Sequence, residues 1–162
     1  MTLLKSYYQL CKPNVVYMML ICAFVGMLLA EKTVSSFGYL FVALIGIALC
    51  AASAAAINQV IDRNTDASMT RTDQRPLPKG ELSVAHASLF ALIIGVIGSL
   101  ILYFYVNKLT MILTIASLIG YAFIYTVYLK RATPQNIVIG GLAGAAPANP
   151  PITIFWGVAL FK

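Results

Sequence analysis

The sequence predicts an all-α, polytopic membrane helical bundle, and three observations carry that reading. Hydrophobic residues make up 60% of the chain and charged residues only 10%, whereas an ordinary soluble domain carries about 25% charged residues. The apolar residues are also gathered into long runs. Residues 15–30, 37–61, 84–106 and 109–129 contain no Lys, Arg, Asp or Glu. Crossing the hydrocarbon core of a bilayer takes roughly 17–25 such residues as a helix, so all four qualify, the first barely. Finally, none of the runs alternates polar with apolar residues, as the strands of a membrane barrel do.

Taken in order, Lys12-Pro13 marks the start of the first spanning helix, because proline suits the first helical turn. Glu31, Lys32 and Thr33 make a short turn before the second helix. That helix carries the run Ala51-Ala52-Ser53-Ala54-Ala55-Ala56, whose small side chains let a neighbouring helix approach closely in lipid. The third helix runs to 106, and Asn107-Lys108 turns into the fourth. A fifth apolar segment, 137–161, is interrupted by Pro147, Pro150 and Pro151 and contains Gly140 and Gly144 at a spacing that suits close helix contact. About five transmembrane helices in a single domain, residues 1–162, are expected.

The charges that remain set the orientation. With the N-terminus in the cytoplasm, Lys5, Lys12, Arg63, Arg71, Arg75, Lys79, Lys130 and Arg131 lie inside, and only Lys32, Lys108 and Lys162 lie outside. The excess of inside bases favours that topology. The net charge of +6 does not indicate nucleic acid, since the bases occupy short loops between apolar helices. Cys11, Cys22 and Cys50 lack any metal or disulfide spacing and read as small apolar residues. No cleavable signal and no Arg-rich transit segment is evident, which favours a bacterial protein in the inner membrane.

The polar stretch 62–83 holds four of the five acids: Asp62, Asp66, Asp73 and Glu81. Asn58, Asp62 and Asp66 recur every fourth residue, which stacks them along one helix face where the apolar run ends. Two carboxylates one turn apart repel, and a hard divalent cation suits their oxygens. Magnesium binds through one or two carboxylates together with substrate phosphates, so this face calls for an anionic ligand. Arg71, Arg75 and Lys79 follow at the same interval, with the hydroxyl of Thr72 among them. Arginine matches phosphate geometry with paired donors and lysine adds a point charge. Pro76, Pro78 and Gly80 are expected to end the helix and fix the loop. A solvated loop that merely sets topology is the plainer reading; the order of acids then bases at a helix end, in a chain with few other charges, argues against it. Tyr125, Lys130 and Arg131 add cations and a hydroxyl on the same face, or serve topology alone. His86, the only histidine, reads as a helix-end hydrogen bonder, and Trp156 as an interfacial anchor.

These motifs resemble the UbiA superfamily of intramembrane prenyltransferases. Asn58-x-x-x-Asp62-x-x-x-Asp66 is similar to its first aspartate-rich motif. The fuller run Asn58-Gln59-Val60-Ile61-Asp62-Arg63-Asn64-Thr65-Asp66, then Met69-Thr70-Arg71-Thr72 and Arg75-Pro76-Leu77-Pro78-Lys79-Gly80, resembles the haem-farnesylating branch. So do Leu129-Lys130-Arg131 and Thr133-Pro134-Gln135-Asn136. The resemblance runs from about residue 12 to residue 147. It implies a nine-helix bundle around a cavity, with magnesium on Asp62, Asp66 and Asn58, and with farnesyl diphosphate held by Arg71, Arg75, Lys79, Lys130 and Tyr125. It implies haem b as the acceptor substrate, giving haem O, and a second aspartate-rich motif in later helices. That motif is absent from these 162 residues, and the sequence after Pro147 departs from the family pattern. A truncated or frameshifted N-terminal half, inactive alone, is therefore expected. Prenylation of a quinone-precursor ring is the alternative within enzymes, and an inactive membrane fragment or a channel piece the alternative outside them.

Overall fold

The computed structural model describes residues 3–30, 37–70 and 72–120. Those residues form five α-helices and no strand: α1 (Leu3–Leu10), α2 (Pro13–Ala30), α3 (Phe37–Ala67), α4 (Val84–Tyr105) and α5 (Lys108–Ile119). α3 is the hub and packs against each of the other four. Both α3 and α4 are long and apolar enough to cross a membrane, and α1 and α2 form a third such unit if their 46° bend is counted within one span. The expected fourth span is described only as far as Ile119 and Gly120, and the expected fifth lies outside the described residues.

α3 has 31 residues, so at 1.5 Å per residue it is about 46 Å long. The hydrocarbon core needs only about 30 Å of that. The surplus falls at the C-terminal end, where Asn58, Asp62 and Asp66 sit. The apolar turns and the polar turns thus belong to one continuous helix.

α4 returns antiparallel to α3, and their small residues set the spacing. Ser53 Oγ donates to the carbonyl of Ala91 at 2.7 Å, and Cys50 Sγ lies 3.9 Å from Ser99 Oγ. Farther along, a Cβ added at Gly98 would stand 2.9 Å from Gly46 O, Leu49 Cβ and Cys50 Sγ. Only hydrogen at Cα permits that approach. The expectation that residues 51–56 serve helix packing is thus met: Ala51, Ser53, Ala54, Ala55 and Ala56 are buried, with Ser53 and Ala56 facing α4. The companion pair Gly140 and Gly144 lies outside the described residues.

The cap residues follow simple chemistry. Ser83 caps α4, its Oγ accepting from the His86 backbone N–H, and the His86 ring meets the same hydroxyl at 2.8 Å. His86 is thus a helix-end hydrogen bonder, as its position predicts. Asn107 caps α5, its Oδ1 accepting from Thr110 N at 2.7 Å.

Two departures from expectation concern the ends of helices. α1 is an additional helix before Lys12-Pro13. It buries Leu10 with Ala56, Leu77, Leu82, Ala87 and Ala91, and Tyr7 meets the Phe90 ring at 4.8 Å. The second departure is that α3 ends at Ala67, well before Pro76, Pro78 and Gly80. Thr72 Oγ1 bends back to donate to Asp66 O at 3.0 Å, satisfying a terminal carbonyl that a continuing helix would have used. Residues 72–80 then form successive turns. Gly80 adopts φ +71, and Gly80 N and Glu81 N close back onto Leu77 O and Pro76 O.

Candidate metal–diphosphate site

The site is built on the last three turns of α3. Asn58, Asp62 and Asp66 are 4%, 2% and 3% exposed, so three polar side chains in register are withdrawn from solvent on one helix face. Such burial is costly unless each group is bonded, and the bonds are present. Asn58 Nδ2 donates to Asp62 Oδ2 at 3.2 Å. Arg75 Nη1 donates to Asp66 Oδ2 at 2.6 Å in an ion pair. Lys12 Nζ donates to Asn58 Oδ1.

The sequence-predicted residues therefore divide. Asn58, Asp62, Asp66 and Arg75 come together. Thr72 is buried beside them, but its hydroxyl serves the backbone carbonyl of Asp66. Lys79 is exposed on the turn region. The four-residue spacing of Arg75 and Lys79 does not continue the α3 face, because α3 has already ended at Ala67. Arg71, Tyr125 and Lys130 lie outside the described residues.

Sequence reasoning missed the contribution of α1 and its junction. Lys12 adopts φ 49 and is the only non-glycine residue with positive φ among those described. Its carbonyl accepts from Val15 N and Val16 N, so it closes α1 and opens α2 in one step, and Pro13 follows at the position where its missing N–H costs nothing. Gln59, 2% exposed, donates through Nε2 to Gln9 O and Leu10 O at 3.1 and 3.0 Å, helping to satisfy the last carbonyls of α1; Gln9 O also accepts from Lys12 N. Ser6 Oγ donates to Glu81 Oε2 at 2.6 Å, tying α1 to the turn region. The available signal was the basic residue placed directly before a helix-starting proline.

The oxygen-rich donor set suits a hard cation of the magnesium type. Among the described residues, no group of three or more His, Cys, Asp or Glu side chains could hold a metal. Two carboxylates and one amide oxygen fit magnesium only if phosphate oxygens and water complete the shell. The neighbouring Arg75 guanidinium suits such a phosphate.

Comparison with known proteins bears on what this face is for. Residues 19–159 match the UbiA prenyltransferase family. The chain belongs to that family. A protoheme IX farnesyltransferase 2 of Pseudoalteromonas atlantica is 57% identical over 143 residues, 88% of this chain and 47% of that protein. A protoheme IX farnesyltransferase 1 of a Shewanella species (strain ANA-3) is 57% identical over 143 residues, 88% of this chain and 48% of the relative. The chain thus spans about half the length of the curated relatives it matches. Two solved structures share the UbiA fold. A digeranylgeranylglyceryl phosphate synthase superposes with TM-score 0.79 at 22% identity, over 98% of this chain and 54% of the other. A UbiA homolog from Archaeoglobus fulgidus, bound to DMAPP and Mg2+, superposes with TM-score 0.77 at 18% identity, over 96% and 54%. As a UbiA-family helical membrane protein, the chain carries its carboxylate face on a helix that is itself long enough to span.

Proposed function

We propose that this chain supplies the first half of a protoheme IX farnesyltransferase, which moves farnesyl from farnesyl diphosphate to a vinyl group of haem b to give haem O. The observation that carries this reading is the buried face of Asn58, Asp62 and Asp66 with Arg75 bonded to its end, in a sequence 57% identical to proteins of that name. Haem is a substrate in this reading and magnesium the cofactor.

Asp62 and Asp66, with Asn58, would hold a magnesium ion, which when bound would supply Lewis acidity to the departing diphosphate. Arg75 exchanges Asp66 for a phosphate oxygen, and Arg71 and Lys79 add charge from the turn region. Lys130, just after the fourth span, and Tyr125, near the end of that span, contribute from the same side. Together these donors stabilise the charge that develops as the allylic C–O bond breaks and its electron pair leaves with the diphosphate. The apolar helix faces exclude water from the resulting allylic cation. The haem vinyl group then forms the new C–C bond, and water adds to the cation so produced, losing a proton to leave a hydroxyl. The same reading puts the chain in a bacterial inner membrane with its N-terminus and the 62–83 segment in the cytoplasm, because eight bases against three favour that side.

The test is made in the full-length enzyme. Asp62→Asn and Asp66→Asn should each lower magnesium-dependent haem O formation by about 10²–10³-fold, the usual cost of removing one charge-stabilising group, with the product followed by chromatography of extracted haems. Near-normal turnover in both variants would overturn the assignment.

A further inference from the structure

Among the described residues, two cationic side chains bonded at the polar face occupy oxygens that a metal would need. Arg75 sits on Asp66 Oδ2 at 2.6 Å, and Lys12 Nζ sits on Asn58 Oδ1. Asn58 passes the second interaction on, since its amide group donates to Asp62 Oδ2. Lys12 reaches this place from a different helix pair, at a residue whose backbone is held in the left-handed region. That conformation is unfavourable for a side chain bearing Cβ, and here the surroundings hold it. Gln59 bonds the carbonyls of Gln9 and Leu10 at the end of α1, and Leu10 is completely buried.

Building on the metal–diphosphate reading above, we infer that Lys12 is a positioning residue that stands in for the metal on the Asn58–Asp62 side of the face and makes the site load its metal together with a diphosphate, not before it. The electrostatics run in one direction. A bare divalent cation approaching Asp62 must displace the ammonium group from Asn58 Oδ1 and then share the face with it, like charge against like charge in a buried setting. A diphosphate removes that conflict, because its oxygens accept from the released Lys12 and Arg75 while the metal takes the carboxylates. Lys12 therefore weakens binding of metal alone and strengthens binding of metal with diphosphate. A residue with a merely structural role would affect the two in the same sense.

The experiment titrates the purified full-length enzyme in detergent with Mn2+, read by electron paramagnetic resonance, with and without inorganic pyrophosphate. Lys12→Met keeps the apolar stem and removes the charge. We expect it to bind Mn2+ alone more tightly and to bind Mn2+ with pyrophosphate about tenfold more weakly, the scale of one charge-assisted hydrogen bond. Lys12→Arg should restore the wild-type order in both titrations. If Lys12→Met does not fold, Lys12→Gln carries the same two expectations. Equal weakening in both titrations, or no change in either, overturns the role of Lys12 and leaves the metal–diphosphate reading intact. Failure of the unaltered enzyme to take up Mn2+ even with pyrophosphate overturns both.

Discussion

Replacing Arg75 by alanine should destabilise the fold itself, independently of any substrate. Asp66 lies in the last turn of α3, where the helix already presents the negative end of its dipole and where an added negative charge is unfavourable by about 0.3–1 kcal/mol. Asp62 is one turn away on the same buried face. Two unit charges a helical pitch apart repel by roughly 3 kcal/mol at an effective dielectric near 20. The guanidinium at 2.6 Å offsets both terms. Breaking a buried pair from one side costs about 3–5 kcal/mol; since the Arg75 side chain is 29% exposed, water can partly replace it, and we expect about 2–4 kcal/mol. Asp66→Asn removes the charge that needs compensation, so it should cost less than Arg75→Ala, and the double variant should recover most of the loss. Reversible unfolding in mixed micelles, followed by helical circular dichroism, provides the four free energies of the cycle. If the double variant is as unstable as Arg75→Ala, the loss comes from packing of the arginine stem and the electrostatic reasoning is wrong.

Other perturbations test the scaffold around that face. Gly98→Ala should lower stability by about 1–3 kcal/mol by overpacking, because its new Cβ would press on the α3 backbone at Gly46 O and on Leu49 Cβ; thermal unfolding unchanged from the parent would refute so close a helix approach. Ser83→Ala should cost about 1 kcal/mol through loss of the α4 cap, with Ser83→Asp retaining most of the stability in the same melt. For topology, in a background lacking Cys11, Cys22 and Cys50, a cysteine at Lys108 should react with an impermeant reagent added to intact cells and one at Thr65 should not; the opposite pattern would reverse the orientation.

Much of the fold was legible because the bilayer imposes a simple code. A helix in lipid must satisfy every backbone group internally, so uninterrupted apolar runs translate directly into helices, and α3 and α4 appear close to where their runs lie. The ends were harder to read. α1 has eight residues, too few for a periodic signal, and its existence depends on contacts distant in sequence: Leu10 in the cluster with Ala56 and Leu82, and Ser6 on Glu81. The end of α3 was misplaced because proline at 76 is a visible breaker, whereas the group that turns the chain is Thr72, through a hydroxyl bond to Asp66 O that no spacing rule announces.

The same distinction holds within the site. Asn58, Asp62 and Asp66 were readable because they share one helix, where a four-residue interval fixes three-dimensional neighbours. Arg75 was readable by charge alone, and its seat on Asp66 follows from the turn that Thr72 makes. Lys12 could not be found this way, since 46 residues separate it from Asn58 and only the packing of α1 and α2 against α3 unites them. Buried carboxylates demand cations wherever the chain can deliver them. Counting cations near the acids in sequence therefore finds those on the adjoining turns and overlooks one supplied from a neighbouring helix junction. In this bundle the overlooked cation is held by a strained backbone residue and two glutamine bonds. That fixed placement is what lets Lys12 lie against Asn58 and, in the proposed loading order, yield that oxygen only when a diphosphate offers its own.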